Sequence, residues 1–280
     1  MPRDVPMPQA SWRASLALAF ERRGARTVLA SREHEGPLVV QKTFHPEGED
    51  VCHAIVVHPP GGIAGGDELS LDIRTAANAH ALLTTPGAGK WYRSAGPWAR
   101  QQVRIEAATG SIVEWLPQET IVFDAALAQL RFEAHLDPDA RLVAWDIVCL
   151  GRTGSGERFA RGSIRLDWRV AHAGRALWIE RGSLEAGARA LDSPVGLGGH
   201  TVCGTLVAAG SAIPDDVLAE CRALAPAEGE GAVTRMPSLF LARYRGDSGE
   251  AARRYFTDVW KLLRPAIAGR AAIEPRIWRT

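Results

Sequence analysis

No stretch of this chain reaches the eighteen or so consecutive apolar residues of a membrane-spanning helix, so a helical membrane protein is excluded and no membrane partner is expected. The opening MPRDVPMPQASW carries three prolines and no apolar centre, so it does not read as a signal peptide, and 1–11 is expected to be a flexible tail. Charge of one sign is also lacking. Thirty-three basic residues against 32 acidic ones leave a net charge of +1, which removes the electrostatic footprint of a nucleic-acid binder. Cysteine is scarce: Cys52, Cys149, Cys203 and Cys221 lie far apart without a C-x-x-C pair, which argues against a zinc knuckle or a redox dithiol. Without an export signal they are expected to stay reduced, in the cytoplasm.

Catalytic signatures are missing too. There is no H-E-x-x-H, and Ser155 and Ser163 lack the glycine frame of a nucleophile elbow. At Gly89-Lys90 a phosphate-binding P-loop would need glycine where Thr84 stands and Ser or Thr where Trp91 stands. The eight histidines are scattered. His53 and His58 are five apart, which puts them on opposite faces of a strand, and Cys52 and His58 are separated by nearly 20 Å of extended chain.

What is present is a globular composition, 46% hydrophobic and 23% charged, in a chain long enough to bury a sizeable core. Period-two alternation dominates it. Trp12, Ala14, Leu16, Leu18 and Phe20 share a face, as do Leu69, Leu71 and Ile73, then Val103, Ile105 and Ala107, then Ile164, Leu166, Trp168 and Val170. Val51 to Val57 is nearly continuous in apolar residues, the mark of a strand covered on both faces. Further strands are expected at 27–30, 38–43, 112–116, 121–123, 130–135, 142–150, 176–180 and 238–243. Helical periodicity comes late. Pro214, Asp215 and Asp216 open a helix over 214–224. Asp247 and Glu250 form a capping-box-like pair for a helix over 247–264, with Ala252, Tyr255, Phe256, Val259, Trp260 and Leu263 as its stripe and Pro265 as its end. Pro226 to Gly231 is the only linker-like stretch, so 1–280 is expected to be one domain with its β body over about 12–210. Many short strands fit a sandwich, barrel or solenoid, and no fixed-period repeat selects among them.

The densest punctuation lies between His53 and Arg93. His58-Pro59-Pro60-Gly61-Gly62 and Gly65-Gly66-Asp67 form one corner, and Thr85-Pro86-Gly87 with Lys90 forms a second. Two prolines cannot run through a central ladder, and the glycines that follow permit positive φ and close backbone approach. The chain is therefore expected to leave one sheet layer there and enter another.

These corners, with EWLPQETIVF (114–123), CLGR (149–152) and the terminal PRIW (275–278), resemble the urease accessory protein D family, called H in some organisms. The resemblance runs in order from about Gly36 to the end. It implies a non-enzymatic, β-helical scaffold that docks on the urease apoprotein and binds accessory protein F, which recruits the GTPase G that supplies nickel. No resident cofactor and no tightly bound metal are implied, only transient Ni2+. Gly89 departs from the family, which often has Ser or Thr before the lysine.

Five side chains are candidates for a polar conduit for a hydrated cation: His58, Asp67, Glu114, Glu119 and Glu180. The plain alternative is turn capping and strand-end solvation. Sparse carboxylates would give weak, exchangeable binding, since nickel prefers imidazole and thiolate. Trp91, Tyr92 and Arg93 are candidate interface residues or an inward-packed strand. Tyr255, Phe256 and Trp260 fit a core stripe or a partner face, and Arg276 and Trp278 join them as interface candidates. A hydrolase or lyase acting on a polysaccharide, or a plain binding module, remains a competing reading of an all-β chain.

Overall fold

The computed structural model describes residues 11–279, so the expected tail lies outside the described residues except for Ser11. From Glu68 onward the chain alternates between two sheets. The first sheet runs, edge to edge, Arg175–Glu185, Ser163–His172, Leu127–Leu136, Ala99–Ala107, Glu68–Thr75, Arg13–Arg23 and Arg26–Glu35. The second runs Glu230–Met236, Leu239–Gly246, Val202–Ala209, Arg141–Leu150, Ile112–Trp115, His80–Thr84, Val51–Val57 and Val39–Phe44, with Thr120–Val122 and Gly89–Trp91 paired beside Arg141–Leu150.

In the first sheet the interior pairings are parallel and the two outermost antiparallel; in the second, the pairings from Arg141–Leu150 across to Val51–Val57 are parallel, and the pairings on either side of them are antiparallel. Parallel neighbours need a crossover, and here each crossover is a strand of the other sheet, which makes the body β-solenoid-like. In-register partners advance from Thr75 to Ala107 to Leu136 to His172, so successive coils take 32, 29 and 36 residues. That unequal spacing is why no repeat period shows in the sequence.

Two cores result. Between the sheets, Leu16, Leu18, Phe20, Leu71, Ile73, Ile105 and Phe132 of the first meet Ala54, Leu83, Val113, Leu142 and Val148 of the second. The outer face of the second sheet carries Leu82, Val143, Trp145, Leu206 and Phe240 and is covered by helices. These are α1 (Arg189–Asp192), α2 (Asp215–Ala223) and α3 (Gly249–Ala268), of which α2 and α3 form the cover. Burial of the second sheet on both faces accounts for the continuous apolar run at Val51–Val57, and the first sheet's wet outer face accounts for its alternation.

The proline corner does what its chemistry requires. The strand Val51–Val57 of the second sheet ends before Pro59, and the chain enters the first sheet at Glu68. Gly61 and Gly66 take φ of +75° and +95°, while a Cβ on Gly62 would collide with the Tyr92 ring.

Three local expectations are corrected. The cap of α3 is Ser248, whose hydroxyl accepts from the Ala251 amide at 3.1 Å; Asp247 instead accepts from the Thr201 amide and pairs with His200. Pro265 does not end α3, because the last turn is held from outside: Ile267 is buried in the helix-side core and Arg141 Nη1 donates to its carbonyl at 2.7 Å. Gly269, at φ +66°, then caps the helix. The linker-like stretch at 226–231 runs into an edge strand, Glu230–Met236, paired along Leu239–Gly246.

Candidate functional site

The strand Arg141–Leu150 alternates Leu142, Ala144, Val148 and Leu150 toward the space between the sheets and Val143, Trp145 and Ile147 toward the helices. Asp146 belongs to the first set. It is the one charge within an otherwise apolar run, a signal legible in the sequence that was not singled out. In register it neighbours Thr205, and Thr205 neighbours Arg243, so a polar row crosses three strands toward the sheet's edge. Facing it on the first sheet runs the row Phe132, Trp168 and Glu180.

The rows meet in order. Trp168 Nε1 donates to Asp146 Oδ2 at 2.9 Å, and Arg243 Nη1 donates to Glu180 Oε1 at 2.7 Å and to Thr205 Oγ1 at 2.8 Å. Trp168 stacks on Phe132 with ring centroids 4.1 Å apart. Burial pushes the Asp146 carboxyl up to about 6; the nearby Glu180 charge adds to this, and the Trp168 hydrogen bond and Arg243 oppose it.

A cavity of about 360 Å³ extends between the sheets and ends on Asp146 and Trp168. Its other end is formed by the two corners, with His58, Gly61, Gly62, Pro86, Lys90 and Glu119 on the wall and apolar Val56, Leu71, Val103 and Trp115 between. Burial holds the His58 imidazole below its usual pKa against the pull of Asp67, so it is neutral at pH 7. Glu119 Oε1 accepts from Arg253 Nε of α3 at 3.0 Å. Burial pushes the Cys149 thiol up to about 12, Glu119 adding to it, and pushes Cys203 to about 12 as well, so neither supplies a thiolate at neutral pH.

The structure separates the five conduit candidates. His58 and Glu119 line the cavity, and Glu180 stands just past its end. Asp67 does not line it. Its carboxylate accepts from the Trp12 and Ala64 amides, both at 2.8 Å, and so fastens the first corner to the opening strand. Glu114 lies across the second sheet, on the helix side. There it accepts from Trp260 Nε1 at 2.6 Å, from His80 Nε2 at 2.7 Å and from Arg264 of α3. Arg264 also bonds Glu47, which pairs with His53 at 2.6 Å. Burial alone would raise the Glu114 carboxyl; its bonds from His80 and Arg264 overcome that and hold it at about 2. Glu114 is thus locked in a sealed cluster and takes no part in the cavity.

The interface candidates also divide. Trp91, Tyr255, Phe256 and Trp260 are core residues, while Tyr92, Arg93 and Arg276 are exposed. Trp278 lies half-buried against Trp145 and Trp260 and donates to Thr84 Oγ1 at 2.8 Å, so it ties the chain's end to the second sheet. Among the described residues, no three of His, Cys, Asp or Glu gather closely enough to hold a metal ion, and no helix is long and apolar enough to cross a membrane.

Fold and cavity define a double-layered β-solenoid protein with a helical flank and a polar end to its interlayer space. Residues 13–279 match the family model described as "UreD urease accessory protein". The urease accessory protein UreD of Azoarcus sp. (strain BH72) is 53% identical over 278 residues, covering 99% of this chain and 98% of that protein. The protein of the same name from Dechloromonas aromatica (strain RCB) is 48% identical, with 100% and 99% covered. That from Pseudomonas aeruginosa (strain PAO1) is 50% identical, with 96% of each covered. The chain belongs to the UreD family of urease accessory proteins.

Proposed function

We propose that this chain is a non-catalytic scaffold of urease maturation that docks on the urease apoprotein and, with accessory protein F and the GTPase G, assists nickel insertion in the cytoplasm. Nickel is cargo here, taken up and released, with no resident cofactor. The observation that carries the reading is the cavity between the sheets, which leads from a neutral imidazole and a carboxylate at the loop end to Asp146, with Glu180 just past it. Donors spaced along a wall that mixes apolar residues with Gln101, Gln118 and the cations Lys90 and Arg131 bind a hydrated cation weakly at each stop. Burial keeps the Cys149 and Cys203 thiols protonated, so neither adds the strong, slow-releasing site that borderline metals form with thiolates.

The test is urease activity, with nickel supplied, in cells carrying the cognate urease operon with and without codons 1 to 280, paired with capture of the urease apoprotein and protein F. Activity lost while urease is still expressed, with both partners captured, is the expected result. Full activity without the chain removes the maturation role. Asp146→Ala and Glu180→Ala test the path itself; wild-type activation by both variants, each folded, removes the conduit and leaves only the scaffold.

A further inference from the structure

Beyond Asp146 the polar row continues past the cavity wall. Asp146 is the last acid on the wall. One strand further toward the sheet edge stands Thr205, and one further again Arg243, which meets Glu180 on the edge strand Arg175–Glu185 of the other sheet. The side chains of Arg243 and Glu180 keep 42% and 36% of their exposure, so this pair is the partly wet continuation, toward the sheet edge, of the row that begins at Asp146.

Arg243 is gripped from three sides: both terminal guanidinium nitrogens reach Glu180, Nη1 also reaches Thr205, and the Trp178 ring lies 5.8 Å away. A guanidinium cannot lose its charge in this setting, so the pair cannot open by deprotonation. It opens only by exchange for another cation. With Arg243 in place, one fixed positive charge faces the two carboxylates of Asp146 and Glu180. A divalent cation in its stead balances both, whereas a monovalent ion only reproduces the charge already there. Leaving costs Arg243 its bonds to Glu180 and Thr205, and its partly exposed side chain meets water in their place.

We infer that Arg243 is a tethered counter-ion that keeps the inner end of the cavity closed, and that a divalent cation arriving at Asp146 displaces it from Glu180 toward solvent and so opens the exit. The inference rests on the conduit reading above and deepens it, since it names what regulates passage and why a divalent ion is favoured.

Calorimetric titration of the purified full-length chain with nickel chloride tests it. Arg243→Gln frees Glu180 beside Asp146 and is expected to bind Ni2+ about tenfold more tightly than wild type, the scale of one removed competing charge. Arg243→Gln combined with Glu180→Gln returns affinity to the wild-type level or below, a reversal that a purely structural role for Arg243 would not produce. Thr205→Val removes only the hydroxyl tether and moves affinity the same way by about twofold, again as a shift in a competing interaction; it decides the matter if Arg243→Gln does not fold. Variants that melt like wild type and bind Ni2+ no more tightly overturn the inference. Its failure is distinguishable from that of the maturation reading: equal binding with urease activation still dependent on the chain removes only the counter-ion gate. Activation without the chain removes the reading beneath it.

Discussion

Two carboxylate–guanidinium clusters sit on opposite faces of the same sheet, on strands that are hydrogen-bonded neighbours, and they have opposite characters. On the helix side, Arg264 is wholly buried and every polar arm is taken: Glu114, Glu47 and the Ala271 carbonyl accept from it, while His80, His53 and Trp260 complete the carboxylates. On the cavity side, Asp146 has one tryptophan donor and a neighbouring ion pair that is partly wet. Charge buried with full pairing holds a structure together, and charge buried with partial pairing is held at a cost that only a ligand or function explains. The sealed cluster ties α3 and the chain's end to the sheet. The unsealed one is where chemistry can happen.

The largest expected effect breaks the sealed cluster. Arg264→Ala leaves Glu114 and Glu47 buried without their cation and should destabilise the protein by about 3–5 kcal/mol. Urea unfolding measures it, and a loss below about 1 kcal/mol would mean that the cluster is not closed to water.

Next in size comes a pair of neutralisations with opposite signs. Glu114 has a depressed pKa in the folded state, so its contribution is present above the ordinary 4.5 and drains away as pH falls toward about 2. Glu114→Gln should therefore cost roughly 2–3 kcal/mol at pH 7 and progressively less in acid. Asp146 has a raised pKa, so its contribution is present below 3.8 and is lost as pH rises through about 6. Asp146→Asn keeps an acceptor for Trp168 and should raise stability by about 1–2 kcal/mol at pH 7, with no gain near pH 4. Unfolding curves at both pH values compare the two variants. If both destabilise alike at pH 7, the distinction between the faces is lost.

Much of this architecture was legible in the sequence, and what was not had a physical cause. Alternation in Leu69, Leu71 and Ile73 exposed the first sheet because its outer face is wet, and the apolar run at 51–57 exposed the second because helices cover it. The solenoid winding was hidden by coils of unequal length, which no fixed period detects. At the first corner, glycine and proline chemistry gave the sheet change correctly, whereas the second corner joins two strands of the same sheet. The site was less legible. Glu114 and Asp146 look alike in sequence, each a lone acid in an apolar strand, and only the parity of each position relative to the two cores separates them. Pairing partners as distant as Glu114 and Arg264, 150 positions apart, follow from the fold and from nothing local. The expected end of α3 at Pro265 missed for the same reason, since Arg141, far away in sequence, holds the last turn.

The smallest expected effect calibrates the whole comparison. Glu250 and Arg254 form an i, i+4 pair on the outer side of α3, with side chains 67% and 62% exposed. The ions are the same kinds as in the two clusters, a glutamate and a guanidinium in contact, and only water differs. Exposed pairs gain little because solvent already satisfies both charges, so Glu250→Ala should change stability by under about 0.5 kcal/mol, and 1 M salt should erase what remains. Urea unfolding at low and high salt checks this, alongside Arg264→Ala, whose cost salt should leave largely intact because ions cannot reach a sealed charge. A loss from Glu250→Ala comparable to that from Arg264→Ala would place the stabilising power in ion pairing itself. The contrast between the two faces of the sheet, which depends on burial and completeness of pairing, would then have no basis.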